Sequence, residues 1–394
     1  MASTAAVRAP AGLGLRAEVL EGLQALDSLE VQWARLWEDS HSDCPYCHPD
    51  WVRAYLSAFE AGCELLVLAV FSGMELAAVL PLIRETARFR GFPIRKLRTP
   101  TNPHVTRFEI LRAPGSLGAS ALTKLWKTLL QVPAWDIAEI EVLCEETARL
   151  VQTAAAEHHC GLHISQHGSI IIPIARYADN PLKWQAELSS HMRWKLRRVK
   201  KKLEARSGAC ELTLTDYGEP ETVEEFYRIE GSGWKGTGGT NTAILCAENT
   251  HQFYNEVADR FTKRGIFTVY TYRAGGQAVA GAYAIRAHGR EVVLKLGFLE
   301  DFGECAPGLL LVNDMLRTLW DQGATELDFG PDNNYKHHWT ENVVPRLSCT
   351  VYNNSLYAKA LYRIETNLKP IVKKWMSSAP SNPGDDVTTN DSTQ

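Results

Sequence analysis

The sequence predicts an α/β (α+β) protein of two similar tandem halves, each a mixed sheet flanked by helices, and three observations predict it. The chain has 394 residues, too many for one ordinary core and comfortable for two. One order of elements, an aromatic-rich helical stretch followed by a strand hairpin, occurs twice about 200 residues apart, a spacing that fits duplication and not a short solenoid repeat. The second half then continues strand, glycine-bearing loop, helix, strand, which is α/β order.

The hairpins carry the clearest local signal. Residues 65–71, a turn at Ser72-Gly73 and residues 76–83 form the first; residues 266–272, a turn at Gly275-Gly276 and residues 278–285 form the second. Trp33, Trp37, Trp51, Tyr55 and Phe59 precede the first hairpin, and Phe226, Tyr227, Phe253, Tyr254 and Phe261 the second. Between the halves, Met192, Leu196, Val199 and Leu203 recur at spacings of four, three and four, which places them on one helical face. Ser189 or Ser190 can cap that helix and Gly208 can end it. The expected organisation is a flexible N-terminus (1–16), one α/β half (17–175), a second (176–376) and a disordered tail (377–394) almost without large apolar residues.

Composition narrows the function. A net charge of −4 gives no global attraction to nucleic acid or membrane, so any such partner must be met by a local patch. The longest apolar run, residues 65–71, is strand-sized and far short of the roughly 18 residues that read as a membrane span. The Ala-rich N-terminus has no compact apolar core, and Glu18 and Glu21 soon follow, so it reads as an ordinary tail. Nine cysteines, an odd number scattered along the chain, suggest reduced thiols. A cytoplasmic location is expected.

In the second half, residues 291–299 read as a strand, 300–308 as a loop, 309–323 as a helix ending at Gly323, and 325–330 as a strand. A glycine-bearing loop that opens a helix offers free N–H groups and a positive helix end to an anion. Gly303 and Gly308 allow close backbone approach, whereas Asp301 and Glu304 add charge of the wrong sign and Pro307 removes one N–H. Residues 231–240 (GSGWKGTGGT) hold five glycines around Trp234 and Lys235, including Gly236 and Thr240; a flexible surface loop is the plain alternative. Residues 328–339 (DFGPDNNYKHHW) gather polar side chains at a strand's carboxyl end, where α/β sites usually sit.

These segments together resemble a known family. WKGTGGTNTAI, Lys295 on a strand before Ala306-Pro307-Gly308, Asp328-Phe329-Gly330 ending a strand, and the pair Tyr335-Lys336 occur in the order of bacterial GNAT-type acyltransferases of the cellulose-biosynthesis-associated CelD/BcsL group, relatives of the FemABX peptidyltransferases. The basic helix and the pattern of Trp51 followed by Leu80-Pro81-Leu82 have counterparts too, so the resemblance runs from about Trp33 to Tyr352. Ala306 stands where Ser is usual, and PDNN departs from the pattern before Tyr-Lys.

The resemblance implies two tandem GNAT-like domains and N-acyl transfer from acyl-CoA, without a metal, to a small-molecule or sugar-linked amine, in polysaccharide or cell-envelope metabolism. It implies that Lys295, Leu296 and Gly297 flank the pantetheine and that Gly303, Ala306, Pro307, Gly308 and Leu309 meet its phosphates. Asp328 is then the expected base or amine-orienting group, with a strand-end cap as the alternative. Lys336 and Lys235 are expected to hold an anion or stabilise the carbonyl. Trp234, Gly236, Thr240, Tyr335 and Asn102, the last in a polar stretch of residues 98–108, are expected at the substrate. An aminoacyl-tRNA donor and a non-catalytic assembly or regulatory protein are the alternatives.

Two signals stand outside this reading. Cys44-Pro45-Tyr46-Cys47-His48 has the form of a redox, zinc or haem-attachment motif, but the helix before it argues for a loop leading into the Trp51 helix. Residues 193–202 (RWKLRRVKKK) carry seven basic residues in ten, either a solvated helix face or a clamp for phosphates or tRNA.

Overall fold

Strand pairing among the described residues builds one 13-stranded mixed sheet. The computed structural model describes residues 14–177, 180, 182–215 and 219–378. The first half runs β1 (Leu15–Glu21), α1 (Leu23–Asp39), α2 (Pro49–Phe59), β2 (Glu64–Ser72), β3 (Glu75–Phe89), β4 (Phe92–Arg98), β5 (Leu111–Arg112), α3 (Gly115–Gln131), β6 (Ile137–Leu143), α4 (Glu145–Glu157) and β7 (Gly161–Ile172). The second runs α5 (Leu182–Glu187), α6 (Ser190–Ser207), β8 (Cys210–Thr215), α7 (Pro220–Glu230), α8 (Glu248–Lys263), β9 (Phe267–Ala274), β10 (Gln277–Ala287), β11 (Arg290–Phe298), α9 (Pro307–Asp321), β12 (Glu326–Pro331), β13 (Val343–Tyr352) and α10 (Leu356–Ser378). β1 begins inside the segment expected as flexible, whose residues 1–13 lie outside the described ones, as does the expected tail past Ser378.

The strand order is β1-β2-β3-β4-β6-β13-β7-β12-β11-β10-β9-β8, which reads the same way from both ends. β1 to β4 and β6 mirror β8 to β12, and each half's last strand crosses to the other. β13 pairs with β6, β7 pairs with β12, and the two crossing strands pair antiparallel in the middle. Exchange of last strands joins the halves through backbone hydrogen bonds as well as side-chain packing.

Both expected hairpins form, β2–β3 and β9–β10, because continuous apolar runs buried on both faces flank glycine turns. The basic helix forms as expected. The Ser189 hydroxyl accepts the Met192 N–H at 3.0 Å, and Gly208, at φ 98°, ends the helix in a conformation a side chain resists. Met192, Val199 and Leu203 are buried, whereas Arg197, Arg198, Lys200 and Lys201 face outward. Helices α2 and α8 meet across the halves, Trp51 edge-on to Phe253 at 5.1 Å, and Arg260 and Arg264 bond the Asp50 carboxylate at 3.2 and 2.9 Å.

The CPYC segment is a packed 3-10 turn leading into α2. Trp33 and Trp37 donate their indole N–H groups to the carbonyls of Cys47 and Cys44, each at 2.9 Å. Both thiols are buried, and burial pushes the Cys47 thiol up, away from nucleophilic or ligating character.

Candidate acyl-transfer site

Two parallel strands that pair at one end and part at the other open a wedge in a sheet. β11 and β12 pair over only Arg290↔Glu326, Glu291↔Leu327 and Val292↔Asp328, after which they diverge. A cavity of about 710 Å³ fills the wedge, lined along β11 by Val293 to Phe298 and opposite by Phe329, Tyr335, Lys336 and His338. Its size suits a substantial organic ligand. The equivalent wedge of the first half, between β4 and β6, is filled by its own chain. There Thr99 N–H bonds the Glu139 carbonyl at 3.0 Å, and Phe108 N–H bonds the Val142 carbonyl at 3.0 Å.

The cavity collects most of the expected residues. Lys235, Lys336, Lys295, Leu296, Gly297, Gly303, Ala306, Gly308, Leu309, Trp234 and Tyr335 line it. Ala306 caps α9 in the left-handed conformation, φ 43° and ψ 53°, an unfavourable state for a residue with a Cβ, of the kind that persists where surrounding contacts fix it. Pro307 takes the first helical position, where its missing N–H costs nothing. Of the two acids that argued against an anion here, Glu304 is paired with Lys202 at 2.5 Å, and Arg206 brings a positive charge to the loop by bonding the Asp301 backbone carbonyl at 2.6 Å while stacking on Phe302. Helix α6 thus braces the loop.

The glycine-rich segment is a self-bonded loop and not a floppy one. Thr240 N–H bonds the Trp234 carbonyl at 2.7 Å, and Thr242 and Ala243 N–H both bond the Lys235 carbonyl at 2.9 Å. Gly236 and Thr240 shape this turn and do not line the cavity. Glu230, which sequence reasoning missed, anchors both ends: one carboxylate oxygen accepts Ile244 N–H at 2.9 Å and the other the Lys235 ammonium at 3.3 Å. Gly297 is required beneath it, because a Cβ there would stand 2.5 Å from the Glu230 Cα.

Besides Gly236 and Thr240, three expected residues lie away from the cavity lining. Asp328 is 1% exposed; its carboxylate accepts Gly330 N–H at 2.9 Å and the Ser169 hydroxyl at 3.4 Å, and sits 3.6 and 3.5 Å from the Arg290 and Arg346 guanidinium groups. It belongs to a buried charge cluster that joins β12 to the crossing strands. That burial counts against the expected base and for the strand-end cap. Asn102 closes a turn by accepting His104 N–H at 2.9 Å, and Pro307 packs within the helix start.

Electrostatics within the cavity are uneven. Burial holds Lys336 down to about 8, despite Asp328 and Asp332 nearby, with Lys235 adding to the shift. Burial likewise lowers Lys295, against the pull of Glu230. His338 is lowered by burial and by the positive fields of Lys195 and His191, so it is neutral at neutral pH. The Tyr335 hydroxyl is buried and lacks a well-formed hydrogen bond, although it neighbours the Trp339 indole; burial raises it, keeping it protonated. A Cβ on Gly308 would lie 3.7 Å from that hydroxyl, so Tyr335 borders the start of α9. Among the described residues no group of three or more His, Cys, Asp or Glu side chains could hold a metal ion, and no helix is long and apolar enough to cross a membrane.

A sheet wedged open beside a glycine-bearing helix start is the GNAT-like fold, and residues 190–337 match the family model of the acetyltransferase (GNAT) domain. That match contains every lining residue of the cavity except His338. Among solved structures, FemX is similar over 88% of this chain and 99% of its own, at 12% identity and a TM-score of 0.54. The C-terminal domain of a protein named as a lysylphosphatidylglycerol synthetase, from Agrobacterium fabrum, is similar over 85% and 95%, at 12% identity and a TM-score of 0.51. A Bacteroides thetaiotaomicron protein of unknown function covers 83% and 97%, at 10% identity and a TM-score of 0.50. At such identities the likeness is one of fold. No curated protein matches the chain.

Proposed function

We propose that the chain is an N-acyltransferase that moves an acyl group from acyl-CoA to an amine, and that it stands with the CelD/BcsL-like group on the order of its motifs. The observation that carries the reading is the open wedge between β11 and β12, placed over Gly303–Leu309 at the start of α9, in the half whose twin wedge is plugged. The donor's pantetheine would lie along Leu294 to Phe298 and its phosphates against the loop that α6 braces. The second half carries the chemistry, and the first half contributes the crossing strand β7 and a wall.

In this reading the amine nitrogen attacks the thioester carbonyl, the C–S bond breaks, and the thiolate takes a proton. The Tyr335 hydroxyl, protonated and without a good partner, is the donor available to the developing charge. The proton lost by the amine needs an unprotonated base. Both Glu230 oxygens are occupied and Asp328 does not line the cavity, whereas His338 does and is neutral. His338 therefore takes the role first expected of Asp328.

A second reading rests on α6. Lys195, Arg197, Arg198, Lys200 and Lys201 have no ion pair among the described residues and lead to the cavity mouth, a surface that an aminoacyl-tRNA donor would suit. Calorimetric titration with acetyl-CoA, longer acyl-CoAs and free CoA separates the two. Saturable binding that Gly308→Glu abolishes supports the first; no binding, together with ribonuclease-sensitive activity, supports the second.

A further inference from the structure

Three lysines of the lining, Lys195 on α6, Lys295 and Lys336, form no ion pair among the described residues, and the last two stand in the wedge itself. Lys295, on the free edge of β11, and Lys336, in the turn after β12, line the same cavity from opposite sides, and neither forms an ion pair among the described residues. The Lys295 ammonium lies 5.5 Å from the Tyr254 ring centre, and among the described residues the Lys336 ammonium bonds only the Pro331 carbonyl, at 2.7 Å, with the Phe329 ring 5.7 Å away. The fourth lysine of the lining, Lys235, already engages Glu230, the buried carboxylate there. Glu300, the other acid there, has its carboxylate against Gly233 at the glycine-rich loop.

Burying an ammonium group without a contacting counter-ion is unfavourable, and burial outweighs the more distant carboxylates, Asp328 and Asp332 for Lys336 and Glu230 for Lys295, in holding both lysines below the ordinary lysine value. A pantetheine arm is uncharged along the stretch that would cross the wedge, so a bound coenzyme leaves this imbalance in place. A ligand that brings its own negative charge between β11 and β12 removes it.

We propose that the wedge is built to receive a substrate carboxylate, clasped between Lys295 and Lys336. The proposal rests on the acyl-transfer reading and narrows it: the carboxylate belongs either to the acyl group, as in a dicarboxylic monothioester, or to the amine acceptor, as in an amino acid. In both cases the charge orients the substrate inside the wedge, and neither lysine reacts.

The test uses malonate as a minimal carboxylate and malonamide as its neutral control. The full chain is treated near neutral pH with an amine-acetylating reagent, and modification of Lys295 and Lys336 is followed by peptide mass spectrometry, with exposed Lys127 as reference. Malonate is expected to slow labelling of both cavity lysines about fivefold or more, without effect on Lys127, while malonamide does nothing. In Lys295→Met, protection of Lys336 should be lost, and in Lys336→Met protection of Lys295 should be lost. Unchanged labelling with malonate, or equal protection by malonamide, overturns the proposal.

Titration with succinyl-CoA and acetyl-CoA then assigns the source. A preference for succinyl-CoA of about tenfold or more, absent in Lys295→Met, puts the carboxylate on the acyl group. Equal affinities, with malonate still protecting the CoA-saturated protein, put it on the acceptor. Failure of every CoA species to bind removes the acyl-CoA reading and leaves the malonate result standing, so the two ideas fail separately.

Discussion

The ammonium of Lys235 donates to the backbone carbonyl of Leu296 at 2.7 Å, on the edge of β11 that β12 has left. A strand edge that loses its neighbour exposes carbonyls that water or a ligand must satisfy. Here the glycine-rich loop supplies one partner, and through Glu230 the same lysine is tied to the end of α7. Lys235 thus fixes the loop, the helix and the wedge in one arrangement before any ligand arrives.

Lys235→Met keeps the length of the side chain and removes the charge. It leaves the Glu230 carboxylate, which is 1% exposed, with only the Ile244 N–H. Breaking a buried pair by removing one member destabilises by roughly 3–5 kcal/mol, and the partial exposure of Lys235 lowers the expectation here to about 2–3 kcal/mol. Urea unfolding should show that loss. Glu230→Gln/Lys235→Met should recover part of it, and a double variant no more stable than Lys235→Met would remove Glu230 from this role.

Asp328→Asn tests whether the buried charge cluster is structural. The amide keeps the shape but leaves Arg346, 4% exposed, facing a neutral group, with its Nε and one Nη without hydrogen-bond partners among the described residues. A loss of roughly 3 kcal/mol in stability is expected. Turnover per folded molecule, measured below the unfolding transition, should stay within about threefold of wild type. A fall of about a thousandfold in kcat with little loss of stability would return Asp328 to the chemistry.

Local elements were legible in the sequence where periodicity and punctuation agreed. Ser189, the apolar stripe of α6 and Gly208 marked that helix, and the glycine turns marked both hairpins. Ala306-Pro307-Gly308 and Tyr335-Lys336 marked two walls of the cavity. The exchange of β7 and β13 was not legible, because register between distant strands leaves no local pattern: β13 reads as an ordinary strand whether it pairs with β6 or β12. Glu230 was missed for a related reason. At the end of the amphipathic α7 it looks like a solvated acid, and only the close approach that Gly297 permits buries it. The role of Asp328 was not legible, since polarity at a strand end marks a site and a buried ion cluster equally well.

His338→Gln separates a proton acceptor from a wall of the cavity. Because burial, Lys195 and His191 depress the imidazole, its neutral form persists below the usual histidine value, and the acid limb of kcat/KM should lie below pH 6.5. The variant should lose about a hundredfold in kcat with donor affinity within about twofold, and should lose that limb. An unchanged acid limb would reassign the base.

Acid stability should be set by two other histidines. Burial, with Arg264 adding to it and Asp50 opposing it, lowers His48 to about 4, and burial with the charge of Lys295 lowers His104 to about 4. Unfolded, both titrate near the ordinary value of about 6.5. Between those values the unfolded chain binds more protons than the native one, so stability rises with pH there and falls on acidification. The stabilisation is fully present above about pH 6.5 and is lost progressively toward pH 4, on the order of 2–3 kcal/mol for each residue. His48 also caps α2, its Nδ1 accepting Asp50 N–H at 3.1 Å, so its replacement must keep that acceptor. His48→Asn does so and does not titrate. Urea midpoints measured from pH 7 to pH 4.5 should fall more steeply for wild type than for His48→Asn, the difference in slope approaching one proton. Parallel curves for the two proteins would mean that His48 is protonated in the native state and that its burial carries no acid penalty.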